Sequence, residues 1–506
     1  VTLLLCGLQG IYALLFIWRS SVVVTRQRYF CLFDDALISM RYARHLAEGH
    51  GLVWKIGEHV EGFSNLAWTL VMALLHLPGL GPSHTCLLTQ LLGIPMLWCC
   101  VWATYRLCNA FRLLPRPALI AIVLCVTYYN LLYFSLMGME TAALCFVVTM
   151  ALASAVWALR ERRGRLAPYV WFMWAVLLHA DAVLLTCWTA SWMLLRVRQQ
   201  RWRPVVGLAL VSVTLGLQAW WRRVYYGDWM PNTYYLKMTG WPLADRLLAG
   251  VDNSAISLLT MAVPLGLSLW ALLGRRRRIA AFLIGAFCLS FAFQVYVGGD
   301  AWPLNRFLIP TTPALFVAAA AGIRGIVRDM LPRRHGGRLP LGVLAAVCLL
   351  AINGIHWDHI VLLAQPQMVG DNAMNVRLWK AIERVADDDA CIGVGYAGLL
   401  PYFSDRNCVD LLGKCERHVA RTTARADSYL PGHNKRDTPY ILATYRPDIL
   451  IHYESAGVRP DYFPVTVDVD GIEQIFLVHH RTSHVHGGRR LRWSDRAEFV
   501  TLPLSP

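Results

Sequence analysis

Two adjacent carboxylates, Asp34 and Asp35, follow the first apolar run and open the stretch Phe33-Asp34-Asp35-Ala36-Leu37-Ile38-Ser39-Met40-Arg41-Tyr42-Ala43-Arg44. Placing a carboxylate pair beside lipid is costly, so at the mouth of a membrane protein such a pair marks proton chemistry or ion handling. Within about 3 Å of a hydroxyl, a carboxylate can take its proton. A blander role competes with this one. Residues 35–48 suit an amphipathic helix ended by Gly49 and Gly51, and either aspartate could cap it, where negative charge is favourable. The turn Glu61-Gly62-Phe63-Ser64-Asn65-Leu66-Ala67-Trp68 then leads into a second apolar stretch.

The elements that must position these groups belong to a membrane protein. Of 506 residues, 56% are hydrophobic and 16% charged, against about 25% charged in ordinary globular domains. Apolar runs of about 15 to 22 residues recur up to about residue 355, and 18 or more such residues cross a hydrocarbon core of about 30 Å as a helix. The expected fold class is a polytopic α-helical membrane domain, residues 1–355 with an outer loop at 25–84, followed by a small α/β domain at 356–506. The net charge of +16 does not point to nucleic acid. Its densest runs, Arg160–Arg165, Arg196–Arg203, Arg275–Arg278 and Arg324–Arg338, sit in short connections between apolar runs, as the positive-inside rule predicts for cytoplasmic loops.

With the N-terminus inside, crossings fall near 2–18, 86–105, 117–136, 139–158, 204–221, 254–273, 279–296, 310–324 and 339–355. Residues 167–195 leave and return as a tight hairpin turning at His179-Ala180-Asp181. That makes about eleven spans with the C-terminus outside. The stretch 64–80 lies along the outer surface, since a crossing there would put Arg106, Arg112 and Arg116 outside. The polar segments then share the outer face: 25–84, Met137–Thr141, His179–Asp181, 222–250, 297–309 and the region from 356. A solute carrier would gather polar groups near the bilayer midplane on related repeats, and no internal repeat is evident. The pattern suits an enzyme at the outer boundary; a lipid or solute transporter is the alternative of another class.

The first outer loop resembles that of the GT-C superfamily, membrane-embedded glycosyltransferases that take a sugar from a polyprenyl-phosphate lipid at the outer face of the membrane. The likeness is nearest to the bacterial branch that includes the mycobacterial terminal and the pilin arabinofuranosyltransferases. That branch opens with D-D-A-x-I-S-x-R-Y-A-x-x-L-x-x-G-x-G, followed by V-E-G-[YF]-[ST]-N; Asp34 through Gly51 and Val60 through Asn65 match. Later pieces agree in order. Tyr225 through Lys237 is similar to Y-Y-G-x-x-x-P-N-T-Y-Y-x-K, and Gly298 through Phe307 to G-G-D-x-x-P-x-x-R-F. Gly395 through Phe403 and Asp410-Leu411-Leu412-Gly413 fit as well, so the match runs from about residue 30 to 455. Where relatives often read R-P-[DE], this chain has His179-Ala180-Asp181.

The resemblance implies transfer of a sugar, arabinofuranose by that branch, from a polyprenyl-phosphate donor to a glycan or pilin-like protein. Transfer of mannose or another hexose or pentose to protein or lipopolysaccharide is the runner-up. It also implies the bacterial inner membrane, with the site and the C-terminal domain facing the periplasm. A glycosyl phosphate carries its own leaving group, so the site needs a carboxylate for the acceptor proton and cations for the departing phosphate. Asp34 is the favoured base, with Asp35 positioning it or capping the helix. Arg222, Arg223, Lys237 and Arg306 are candidates for the phosphate, which guanidinium groups match well, with His179 a further one. Any of them could instead be a side chain snorkelling at a helix end. Glu61, Asn65, Asn232 and Asp300 could hydrogen-bond hydroxyls. Trp229, Tyr234, Tyr235 and Trp302 could stack on a sugar ring or simply join the interfacial aromatic belt. Were Asp300 to converge on the aspartate pair, a divalent cation is conceivable, although no ligand spacing requires one.

Beyond Asp387-Asp388-Asp389, strands at Cys391–Gly395, Ile449–His452 and Gln474–Val478 and helices near 371–386 and 437–445 predict an α/β domain that binds the acceptor or covers the site. Gly393 and Gly395 lack the third glycine of a nucleotide loop. The tail from His479 to Arg492 is expected to be mobile. Most of the 14 cysteines lie in apolar runs as small hydrophobes, while Cys408 and Cys415 could pair in an oxidising compartment or stay thiols. The first apolar run lacks a small-residue cleavage site and reads as a retained helix.

Overall fold

A computed structural model describes residues 1–302, 304, 306–330, 338–425, 430–451, 461–486 and 492–493. The first apolar run forms α1 (Thr2–Ser20), followed by an antiparallel hairpin of β1 (Val22–Val24) and β2 (Gln27–Tyr29). The expected amphipathic helix is α2 (Asp34–Ala47), and Gly49 follows it at φ 87°, a backbone that favours glycine. Helix α3 (Leu66–His76) has 11 residues, about 16 Å of helix, and is too short to cross a core of about 30 Å.

The bundle continues with α4 (Pro82–Phe111), α5 (Pro115–Thr127), α6 (Tyr129–Leu136), α7 (Thr141–Glu161), α8 (Ala167–Leu178), α9 (Ala182–Arg196) and α10 (Trp202–Tyr226). After the short α11 (Asn232–Met238) come α12 (Leu243–Leu269), α13 (Arg277–Tyr296), α14 (Thr312–Met330) and α15 (Arg338–Asn353). Among the described residues, eight helices are long and apolar enough to cross a membrane, or nine if α5 and α6, bent by 43°, form one span. At the bend Tyr128 is extended, and the freed amide of Tyr129 donates to Asn353 Oδ1 at 3.0 Å, which keeps a broken helix satisfied at this depth. The other two of the eleven expected spans are α8 and α9. They form the hairpin that the spacing predicts, but with 12 and 15 residues they reach only about 18 and 22 Å. Helices α12 and α13 meet backbone to backbone at Gly250, and α12 and α14 at Gly322, where a Cβ would overlap the carbonyls of Val295 and Leu267.

The two ends of this bundle differ in charge. Helices α7 and α9 end, and α10 and α13 begin, at the arginine-rich connections. The opposite ends of the same helices carry Glu140, His179, Asp181 and Arg222. That second end is covered by the C-terminal region: α16 (Trp357–Ile360), α17 (Val369–Val385), β3 (Ile392–Val394), α18 (Leu399–Ser404), β4 (Cys408–Asp410), α19 (Thr438–Thr444), β5 (Ile449–Leu450), β6 (Tyr462–Val469), β7 (Ile472–His479) and β8 (Arg492–Trp493). Its sheet runs β4-β3-β5-β7-β6-β8, parallel from β4 to β5 and antiparallel beyond. Helix α18 packs on α2, and α17 on β1. Strands β3, β5 and β7 fall where the pattern predicts. Strand β4 has only three residues, all buried, and leaves no alternation to read. His452, Pro303, Asn305 and residues 487–491 of the tail lie outside the described residues. Cys408 and Cys415 are both thiols.

Candidate active site

Helix α2 begins directly after Phe33, whose ring is packed edge-on against Phe134 and Trp302 at 5.6 and 5.1 Å. Consecutive helical residues point about 100° apart, so the two carboxylates leave the first turn in different directions. Asp35, its side chain 23% exposed, faces a cavity of about 290 Å3 whose wall also holds Asn65, Glu140, His179, Lys237 and Arg306. It accepts hydrogen bonds from Arg306 Nη1 at 2.7 Å and Lys414 Nζ at 2.9 Å. Asp34, 5% exposed, turns instead into the seam between α2 and α18. There its Oδ1 accepts from the amides of Gly398 and Leu399 at 3.1 and 3.2 Å. Neither carboxylate caps α2. The sequence-based preference for Asp34 over Asp35 is therefore not what the geometry favours: the second aspartate is the one at the cavity.

The surroundings push the two carboxyls apart. Burial raises Asp34 to about 6, with Asp35 adding to the rise and Lys414 and the two amides opposing it. Burial acts on Asp35 too, but Lys414, Arg306 and Lys237 outweigh it and hold that carboxyl well below the usual range. Burial, reinforced by Arg306 nearby, lowers Lys237 to about 8. Among the described residues Lys237 has no ion-pair partner, so it brings a bare ammonium to the cavity wall.

Arg306 is gripped from its other side by Asp300, whose carboxylate lies 3.3 Å from Nε. The preceding Gly298 and Gly299 have φ of 96° and 87°, which lets the chain turn Asp300 inward. Asp300 and Asp35 thus face each other across one shared guanidinium. Among the described residues no three His, Cys, Asp or Glu side chains gather around one point.

Lys414 escaped the sequence reading, although it directly follows Asp410-Leu411-Leu412-Gly413. The motif builds the turn that presents it. Asp410 accepts from the amides of Leu412 and Cys415 at 2.8 and 2.6 Å, and Gly413 has φ 81°, where a Cβ would meet the Ala420 amide at 2.8 Å. Asn232 braces the same turn, its Nδ2 donating to the carbonyls of Gly413, Lys414 and Glu416 at 2.9, 3.1 and 3.0 Å. Asn232 is therefore a strut, with no amide hydrogen left for a sugar hydroxyl.

The remaining candidates divide. Arg222 lines the cavity, but its guanidinium is paired with buried Glu61, so neither is available to a ligand without loss of the pair. Asn65 is in the wall, donating to Glu140 at 2.7 Å and accepting from Ser39 at 3.0 Å. His179 is in the wall and paired with Asp181, which raises its proton affinity against the effect of burial. Tyr234 lines the cavity, while Tyr235 lies beneath the Arg421 guanidinium at 4.1 Å. Trp302 packs on Phe33, and Trp229 is exposed outside the wall. Arg223 is exposed and donates to the Gly227 carbonyl of its own helix end; it is not part of the site.

This combination, a helical membrane bundle with an acidic first loop under a C-terminal α/β cap, is a fold that solved membrane proteins share. Particular likenesses follow from comparison. The apo structure of ArnT from Cupriavidus metallidurans superposes with a TM-score of 0.62 at 12% identity, covering 94% of this chain and 97% of that one. ArnT bound to undecaprenyl phosphate gives 0.56 at 13% identity, covering 81% and 85%. The Archaeoglobus fulgidus oligosaccharyltransferase tethered to an acceptor peptide gives 0.51 at 10% identity, covering 94% and 74%. At such identities the likeness is one of fold. One family profile, described as a domain of unknown function (DUF8728), matches residues 363–494. No curated protein matches the chain in sequence.

Proposed function

We propose that this chain is a glycosyltransferase that moves a sugar from a polyprenyl-phosphate donor onto an acceptor hydroxyl in the cavity beneath its C-terminal region. The observation that carries the reading is the meeting of one cavity-facing carboxylate, Asp35, with three cations, Arg306, Lys414 and Lys237. Lys237, which has no ion-pair partner among the described residues, offers its ammonium to the donor phosphate. Arg306 and Lys414 then share their hydrogen bonds between Asp35 and phosphate oxygens. That sharing weakens the field that holds Asp35 deprotonated and raises its proton affinity as the donor arrives. The acceptor oxygen forms its bond to the anomeric carbon while the bond to the phosphate oxygen breaks. The acceptor proton passes to Asp35, and the phosphate leaves with the electron pair against the three cations. Asp34 takes no part in proton transfer on this reading, because its bonds lie in the seam.

The fold shared with an undecaprenyl-phosphate-bound ArnT and with a peptide-tethered oligosaccharyltransferase supports a lipid-linked donor and a polymeric acceptor. The ordered motifs favour arabinofuranose as the sugar and a glycan or a pilin-like protein as the acceptor. The arginine-rich connections at the far end of the bundle favour a cavity on the periplasmic face of a bacterial inner membrane. Reconstituted vesicles given polyprenyl-phosphate-linked arabinofuranose and an arabinan or pilin acceptor test the whole reading. Transfer is expected from the wild type and not from Asp35→Asn. Full turnover in Asp35→Asn would remove the base, and lipid flux across the vesicle without transfer would replace the enzyme by a carrier.

A further inference from the structure

We infer a second site at the opposite end of the bundle: a pocket for the phosphate headgroup of an anionic phospholipid. The connections that join α7 to α8, α9 to α10 and α12 to α13 enclose a cavity of about 780 Å3 there. Small-ligand sites generally occupy ~300–1,000 Å3. Nine arginines line it, and among the described residues no carboxylate does. Glu161, the acid closest to it in the chain, is engaged by Arg165 and Trp157.

The positive-inside rule accounts for arginines in these connections but not for their convergence on one concavity without a countercharge. Like charges so gathered repel, and a bound anion is what relieves them. The pocket is also built rather than loosely draped. Arg160 donates to the Ala110 carbonyl at 2.6 Å, and Arg276 to those of Phe111 and Arg112 at 2.6 and 2.5 Å, which fixes two guanidinium groups in the wall. Among the cations the same wall carries the apolar side chains of Trp192, Leu195 and Ile279, Leu195 being largely exposed. A free anion gains nothing from those side chains. A phospholipid sets its phosphate among the arginines and its glycerol and acyl ends against the apolar groups, as basic pockets between membrane helices do.

Native mass spectrometry of the detergent-purified full chain, titrated with phosphatidylglycerol, phosphatidylcholine or inorganic phosphate, tests this. Phosphatidylglycerol is expected to be retained in preference to the other two. Exposed arginines are the ones to neutralise: Arg198→Gln, Arg277→Gln and Arg278→Gln together should weaken retention roughly a hundredfold. Arg106→Gln with Arg116→Gln, outside the pocket, should leave it unchanged. Undiminished retention in the triple variant, equal loss in the control, or phosphate binding as tight as the lipid would each overturn the site. Should the triple variant not fold, hydrogen exchange on the wild type decides. Phosphatidylglycerol must slow exchange in 196–203 and 274–280, and unaltered exchange there overturns the proposal.

Discussion

At the cavity wall Asp35 is bonded by two cations, whereas one residue earlier, in the seam between α2 and α18, Asp34 is bonded by two backbone amides. The rest of each region follows the same division. The wall is built of charges matched against charges: Arg306 between Asp35 and Asp300, Lys414 on Asp35, Arg222 on Glu61. The seam is built mainly of donors set on carbonyls, with the Arg44–Asp405 ion pair at its partly exposed rim. Arg41 donates to the carbonyls of Trp54 and Arg406 at 2.7 Å and to that of Pro401, and Trp54 Nε1 donates to Ala397 at 3.0 Å. Ion pairs facing a cavity can be exchanged for pairs with a charged ligand. Bonds to buried carbonyls have no such alternative, because an unpaired carbonyl there costs its full desolvation. The difference separates a surface made for binding from a joint made to hold still.

The contrast breaks first, and most widely, in activity. Asp35→Asn removes the only proton acceptor assigned to the cavity and should lower turnover by about a thousandfold, measured as sugar transfer in vesicles. Loss of less than tenfold would mean that Asp35 only positions the cations. Next comes Arg306→Ala, which strips the partner from Asp300, a carboxylate with no exposure. Leaving such a charge unpaired costs about 3–5 kcal/mol, read as a fall in melting temperature. Adding Asp300→Asn should restore most of the melting temperature while transfer stays absent. At the seam, Arg41→Ala should cost about 3 kcal/mol by stranding carbonyls. It should loosen the C-terminal region, seen as faster proteolysis there, before it alters donor affinity.

Much of this was legible in the chain. The apolar runs marked the long helices, because 3.6 residues per turn and a core of about 30 Å leave few other solutions. The acidic loop, Lys237, Arg306 and the hairpin at His179–Asp181 were visible as polar islands between those runs, and all of them meet in one cavity. What was not legible depended on facing. A sequence does not say which of two adjacent helical carboxylates looks inward, since that is fixed by α18 arriving some 360 residues later to bond Asp34. Lys414 was hidden for the same reason: its role arises from a turn in the C-terminal region meeting the first loop. Asn232 and Glu61 read as ligand-binding because polar residues at a boundary usually are exposed. Here the carbonyls of a turn and a buried guanidinium absorb them.

The seam has a pH signature of its own in the acid range. The Asp34 carboxyl rises from 3.8 to about 6 in the folded protein. A carboxyl raised on folding contributes stability that is present below about pH 4 and is lost as pH rises through about 6. Above that it is a buried charge costing about 3 kcal/mol. Asp34→Asn keeps an oxygen for the amides of Gly398 and Leu399 but removes the charge. Its melting temperature should match the wild type near pH 4 and exceed it increasingly toward pH 7. A constant gap would mean that Asp34 does not titrate in that window.

The smallest effect belongs to Arg223, one residue from a cavity-lining arginine, as Asp34 is one residue from Asp35. Arg222 is buried on Glu61, whereas Arg223 is exposed on the other side of the helix end. Arg223→Ala removes only a bond to its own helix terminus and should stay within about 0.5 kcal/mol of wild-type stability, with transfer unchanged. Arg222→Ala strands the Glu61 charge and should not. If both variants lose transfer equally, the donor reaches the outside of α10 as well as the cavity, and the binding surface extends beyond the wall that Arg222 lines.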